Sequence, residues 1–234
     1  DHVRSRRIAD LRLQWGESAE PARKGNWRFE PGLVDLLIKD VGDEPGALPL
    51  LSHALLETWY RRSGRTMTLE SYAESGGVRG AIAKTAEAVY NQRLNSDQRQ
   101  IAQNIFLRLT NLGEGLQYTR RRAALEELIP SPDQATSVGN VLALLTEARL
   151  ITTENGFAQV AHEALFREWP KLKGWLDDNQ EGLRLHRRLT QSSLEWQKFD
   201  QDEDLLYRGF RLTEALEWAA AHPDQPNELE REFL

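Results

Sequence analysis

The stretch Arg149–Leu172 reads RLITTENGFAQVAHEALFREWPKL. Two short β-rich runs flank Glu154-Asn155-Gly156, and Asn-Gly in such a setting is the strongest short signal for a hairpin. The pattern then becomes helical. His162, Leu165, Phe166 and Trp169 fall at i, i+3, i+4 and i+7, which puts them on one face. Pro170 has no N–H and restrains Trp169, so a kink or restart is expected there.

Upstream of the hairpin, three helices are expected. Asn95 or Ser96 caps one that carries Ile101, Ile105, Leu107 and Leu109. After the break NLGEGLQY, which leaves room for a short strand, Thr119 caps a second, RRRAALEEL, ended by Pro130. Ser137 caps a third, whose Val138, Val141, Leu142 and Leu145 share a face. Three helices followed by a two-stranded wing is the winged-helix order. The fold class expected is therefore mainly α: a helical domain, a winged-helix domain with a small β-hairpin wing, and C-terminal helices.

Farther out, the first thirty residues are charged and irregular, with a short helix at Val3–Trp15 and a loop, GESAEPARKGN. From Gly32 the pattern is all-helical as far as Leu94. Leu33, Leu36, Leu37 and Val41 mark one helix. Leu51, Leu55, Leu56 and Trp59 mark another that starts near Pro49, and a Gly-Gly turn leads into a third over about Val78–Leu94. Downstream, EGLRLHRRLTQSSLEWQKF and LLYRGFRLTEALEWAAA are two amphipathic helices separated by DQDED. Asn227, with Glu230 three residues on, opens a last helix. That helix stops within two turns and the only methionine is Met67, so the chain reads as a piece of a longer protein.

Composition narrows the function classes. The 234 residues include 30 Lys plus Arg against 36 Asp plus Glu, a net charge of −6, so no global field draws the chain to nucleic acid or anionic lipid. Cysteine is absent, which removes disulfides and thiolate metal sites. No apolar run approaches the roughly 20 residues that span a bilayer. His162-Glu163 begins the zinc motif H-E-x-x-H, but the second histidine would be residue 166, which is Phe166. No nucleophile elbow occurs, and Ser52-His53 are adjacent on a helix, where side chains diverge. No phosphate-binding G-x-x-x-x-G-K-[ST] loop occurs either, so the chain by itself is not expected to hydrolyse nucleotide.

DNA binding is a reading any winged helix invites. A reading helix needs Arg, Lys, Asn or Gln at base edges. The third helix offers Asn140 and Glu147 and no cation, which argues against DNA, and the run Arg120-Arg121-Arg122 reads as a solvated helix start. A plain protein-interaction scaffold is the other alternative. For His162 two readings stand side by side: a partly buried residue satisfied locally, or a donor to an anion such as phosphate at a strand–helix joint.

Five ordered blocks carry a resemblance: DVGDEPGALPLLSHALLETW, GGVRGAIAKTAEAVY, VAHEALFREWPKLKGWL, EGLRLHRRLTQSSLEW and DLLYRGFRLTEALEWA. From about Phe29 onward the chain resembles the C-terminal half of bacterial STAND-type signalling NTPases, the subgroup often found upstream of β-propeller repeats. In that family a P-loop domain is followed by helical and winged-helix domains, which close over ADP at rest and open with ATP to allow assembly. The resemblance implies a tail of the nucleotide-binding domain or a linker at 1–30, a helical lid at 31–94, a winged helix at 95–178 and a helical linker toward a downstream domain at 179–234. It implies ADP or ATP, with magnesium, as the parent's ligand, and no catalysis by this piece alone. It further implies a cytoplasmic setting, contacts with an intramolecular NTPase domain and a downstream repeat domain, and self-association on activation. Gly46-Ala47-Leu48-Pro49-Leu50 is similar to the family's G-x-P motif, whose proline packs on adenine; this makes Gly46 and Pro49 candidate nucleotide-binding residues. VAHEAL is similar to the Met-His-Asp motif, with Ala161 and Glu163 replacing methionine and aspartate. His162 then takes the place of the histidine that contacts the β-phosphate.

Overall fold

The computed structural model describes residues 28–42, 47–113 and 117–234, without the side chains of 47–49. The helix expected at Val3–Trp15 and the loop after it lie outside the described residues. The chain divides into two compact units with the break between Lys84 and Thr85. Both are mainly helical.

In the first unit, β1 (Arg28–Phe29) precedes α1 (Leu33–Val41), which buries Leu33, Leu37 and Val41. Helix α2 (Ala47–Tyr60) buries Leu50, Leu51, His53, Ala54 and Thr58, while Leu55, Leu56 and Trp59 are half-buried. Strand β2 (Thr66–Met67) runs parallel to β1, with Arg28 opposite Thr66 and Phe29 opposite Met67. The all-helical expectation for this stretch is corrected by that pair. Two residues per strand are too few for an alternating pattern to show. Helix α3 (Leu69–Ser75) starts with a capping box between Thr68 and Ser71. Tyr72 from α3 donates to Asp40 Oδ2 at 2.7 Å and accepts from the Val78 amide at 3.1 Å. Burial, then the hydrogen bond to Asp40 and its charge, raise the Tyr72 hydroxyl well above its ordinary pKa. Helix α4 (Gly77–Ala88) ends in a π turn over Val89–Arg93.

The second unit opens with α5 (Ser96–Arg108), capped reciprocally by Asn95 and Gln98 at 2.9 and 3.0 Å. Strands β3 (Thr110–Leu112) and β4 (Tyr118–Arg120) form an antiparallel pair. The Thr119-capped helix expected next does not exist. Residues Ala123–Ala124 form β5, and only Glu126–Leu128 make a single 3₁₀ turn. Partners explain the change: Ala123 pairs with Ala158 and Ala124 with Phe157, so the small residues serve a sheet rather than a helix. Helix α6 (Ala135–Glu147) grows from a 3₁₀ turn begun by Pro132, so Ser137 is an exposed interior residue and not its cap.

The hairpin forms as expected, from β6 (Ile151–Glu154) and β7 (Phe157–Val160). Asn155 and Gly156 both have positive φ, 51° and 78°, as a type I′ turn requires. With β5 the sheet has the order β5-β7-β6. Helix α7 (Ala164–Glu168) ends at Trp169, whose ψ of 102° is extended, and Pro170 starts α8 (Pro170–Asp178). The expected restart is there. Then come α9 (Gln180–Lys198), α10 (Phe210–Ala221) and α11 (Glu228–Phe233). Leu206–Gly209 precede α10 as non-helical chain, although they read as part of it in sequence, because Gly209 turns with φ 56°. Leu189, Trp196, Trp218 and Phe233 make a core between these last helices. Among the described residues, no helix is long and apolar enough to cross a membrane.

Candidate functional site

The joint between β7 and α7 is built by burial on either side of it. Val160 is fully buried, and beyond the joint Leu165, Phe166 and Trp169 are buried too. Between them, Ala161 and His162 are half-buried and Glu163 is exposed. His162 precedes α7 rather than lying in its first turn; its carbonyl accepts from the Leu165 amide at 3.1 Å, and that of Glu163 from Phe166 at 3.0 Å.

The Arg120-Arg121-Arg122 run, expected to be a solvated helix start, sends its three side chains to three places. Arg120 reaches the joint, with Nη1 3.5 Å from the Ala161 carbonyl and Nε 3.5 Å from Glu163 Oε1. Arg122 lies over the Phe157 ring of the hairpin, 4.2 Å from its centroid. Arg121 turns inward. Arg120 ends β4, and Arg121 and Arg122 lie in the non-helical link to β5, so the three side chains are not held on one helix face. The joint thus carries a half-buried imidazole and, paired with Glu163 next to it in sequence, a partly exposed guanidinium; both groups can donate to an anion.

Trp169 anchors the joint from beneath. Its Nε1 donates to Glu87 Oε2 at 2.7 Å, and its ring meets Phe106 and Trp175 edge-on with centroids 5.3 and 5.4 Å away. Burial pushes the Glu87 carboxyl up, but hydrogen bonds from Trp169, Asn91 and Lys171 outweigh it and hold the group below its ordinary range.

Deeper in the same unit lies a charged cluster that no motif announced. Glu230 is fully buried, and Arg108 donates to it through Nη1 at 3.1 Å and Nη2 at 2.7 Å. Thr190 donates to the same carboxylate at 2.6 Å, His186 Nε2 lies 3.2 Å away, and the Asn227 amide donates at 2.9 Å. Glu127 accepts from both Arg108 and Arg121. Burial opposes the charge on Glu230, but Arg108 and His186 hold its carboxyl well below the usual range. Burial, with Arg108 nearby, pushes the His186 imidazole down despite its contact with Glu230. The sequence did hold a sign of this. Arg108 stands three residues after Ile105 and His186 three before Leu189, so both occupy apolar faces where a solvated charge would not sit.

Of the other sequence-derived candidates, Gly46 lies outside the described residues. Pro49 is the third residue of α2, in the first unit, whereas His162 belongs to the second. Among the described residues no group of histidines and carboxylates is arranged to hold a metal ion.

No curated protein and no solved structure matches the chain. A family model does. Its match runs over residues 18–204 and takes in α1 through α9, including the hairpin, the His162 joint and Arg108. That span is most of the sequence, and the chain accordingly belongs to the family Novel STAND NTPase 1.

Proposed function

We propose that this chain is the regulatory lid of a STAND signalling NTPase, coupling the nucleotide held by a P-loop domain to opening and self-assembly. The observation that carries the reading is His162, half-buried at the hairpin's exit between Ala161 and Glu163, which Arg120 contacts, in a chain of this family. In this reading residues 95–178 are a winged helix. The strand order β5-β7-β6 around α6 supports it, with the usual second helix reduced to 3₁₀ turns. His162 donates to the β-phosphate of ADP, a charge-assisted contact that favours the closed state through its difference between states. Gly46 and Pro49 approach the adenine. Hydrolysis belongs to the parent's P-loop domain, with magnesium, and the lid supplies no catalytic group. The exposed face of α6 (Thr136, Ser137, Gly139, Asn140, Ala143) has no cation to offer DNA.

The test uses the full-length parent carrying His162→Ala. The expected result is loss of co-purifying ADP and a shift toward higher oligomers in light scattering. Equal ADP content and equal mass in variant and wild type would reject the role.

A further inference from the structure

A cavity of about 20 Å³ lies beside the buried cluster, lined by Arg108, Arg121, Arg187 and His186 with Leu107 and Leu183. Its electrostatics do not balance. Arg108 is committed to Glu127 and Glu230, and two terminal nitrogens of Arg121 to Glu127. The Nε of Arg121 is buried and has no hydrogen-bond partner, in a side chain only 9% exposed. Arg187, half-buried on α9, makes no hydrogen bond and no ion pair among the described residues. Burial, and then repulsion from Arg121, push its guanidinium below the ordinary range. Three guanidinium groups face two carboxylates here, with His186 held toward its neutral form, so the pocket keeps one positive charge in excess.

A buried donor without an acceptor is costly, an excess charge that is half-solvated at Arg187 less so, and one small anion relieves both. A water molecule satisfies the donor but leaves the charge. Size decides among anions. A site of roughly 10–15 Å³ by this measure holds a single water, so the space within reach of these donors, open to solvent on one side, suits an atom-sized body better than a whole phosphate. We propose that the cavity between Arg121 and Arg187 binds a chloride-sized monovalent anion. The site ties α9 to the link that follows β4 and so bears on the rigidity of the second unit.

The experiment measures thermal unfolding of the full chain at constant pH and ionic strength, exchanging gluconate for chloride or for sulfate. Chloride should raise Tm in proportion to the logarithm of its concentration above Kd, by roughly 5 °C at a hundredfold excess over Kd, and sulfate should not. Arg187→Met should lose the chloride response and melt higher than wild type in gluconate, since a like charge is gone. Arg187 is half-exposed, so this change opens no core. Crystals grown in bromide should show an anomalous peak between the two guanidinium groups. Chloride responses equal in variant and wild type, a sulfate response equal to chloride's, or no peak at that position would overturn the proposal.

Discussion

Glu230→Gln isolates the charge that the buried cluster depends on. Glutamine keeps the length of the side chain and an oxygen for the Asn227 amide, so the capping box of α11 survives. What disappears is the negative charge facing Arg108, His186 and Thr190. Arg108 is then left to share Glu127 with Arg121, and the excess positive charge in the cluster doubles. Breaking one partner of a buried pair costs about 3–5 kcal/mol. For a unit of about 150 residues, at 2–4 °C per kcal/mol, that is a fall in Tm of roughly 6–20 °C. Urea unfolding followed by tryptophan fluorescence measures it, with Glu228→Gln, exposed on the same helix, as the control expected to cost under about 1 kcal/mol. A Glu230→Gln loss no larger than the control's would refute the view that this network holds the unit together. The acid limb has a definite sign. Glu230 titrates lower folded than unfolded, so its stabilisation is complete above the unfolded carboxylate pKa near 4.5 and declines as pH falls below it.

His186, also lowered by folding, adds an earlier acid loss. Below about pH 6.5 the unfolded chain takes up a proton that the folded imidazole resists, so wild type should lose more stability than His186→Gln between pH 7 and 5.5 in parallel urea titrations, and equal losses would refute it. Trp169→Ala empties a fully buried site and frees Glu87 from its donor; a cost of about 3–5 kcal/mol is expected by the same unfolding assay, with Trp169→Phe recovering most of it.

Local physics made much of the second unit legible. Asn155-Gly156 needs only positive φ, Pro170 only its missing N–H, and Asn95 and Asn227 only a neighbour three residues on, so each feature sits where the residues put it. The mainly helical class followed from apolar spacing in the same way. What failed was local propensity against partners distant in sequence. The Ala123-Ala124 pair has good helix formers, yet it becomes a strand because Ala158 and Phe157 present a sheet edge. His162 could be placed at a joint from sequence, but its half-burial and the approach of Arg120 to Ala161, 41 residues on, depend on tertiary packing. The cluster of Arg108, Glu127, His186 and Glu230 shows this most clearly. Apolar faces mark Arg108 and His186 as unusual in sequence but name no partners, and only chain folding over more than a hundred residues brings Arg108 to Glu230. Pattern and propensity are properties of neighbours in the chain; charge pairing is a property of neighbours in space, and tertiary packing alone supplies those.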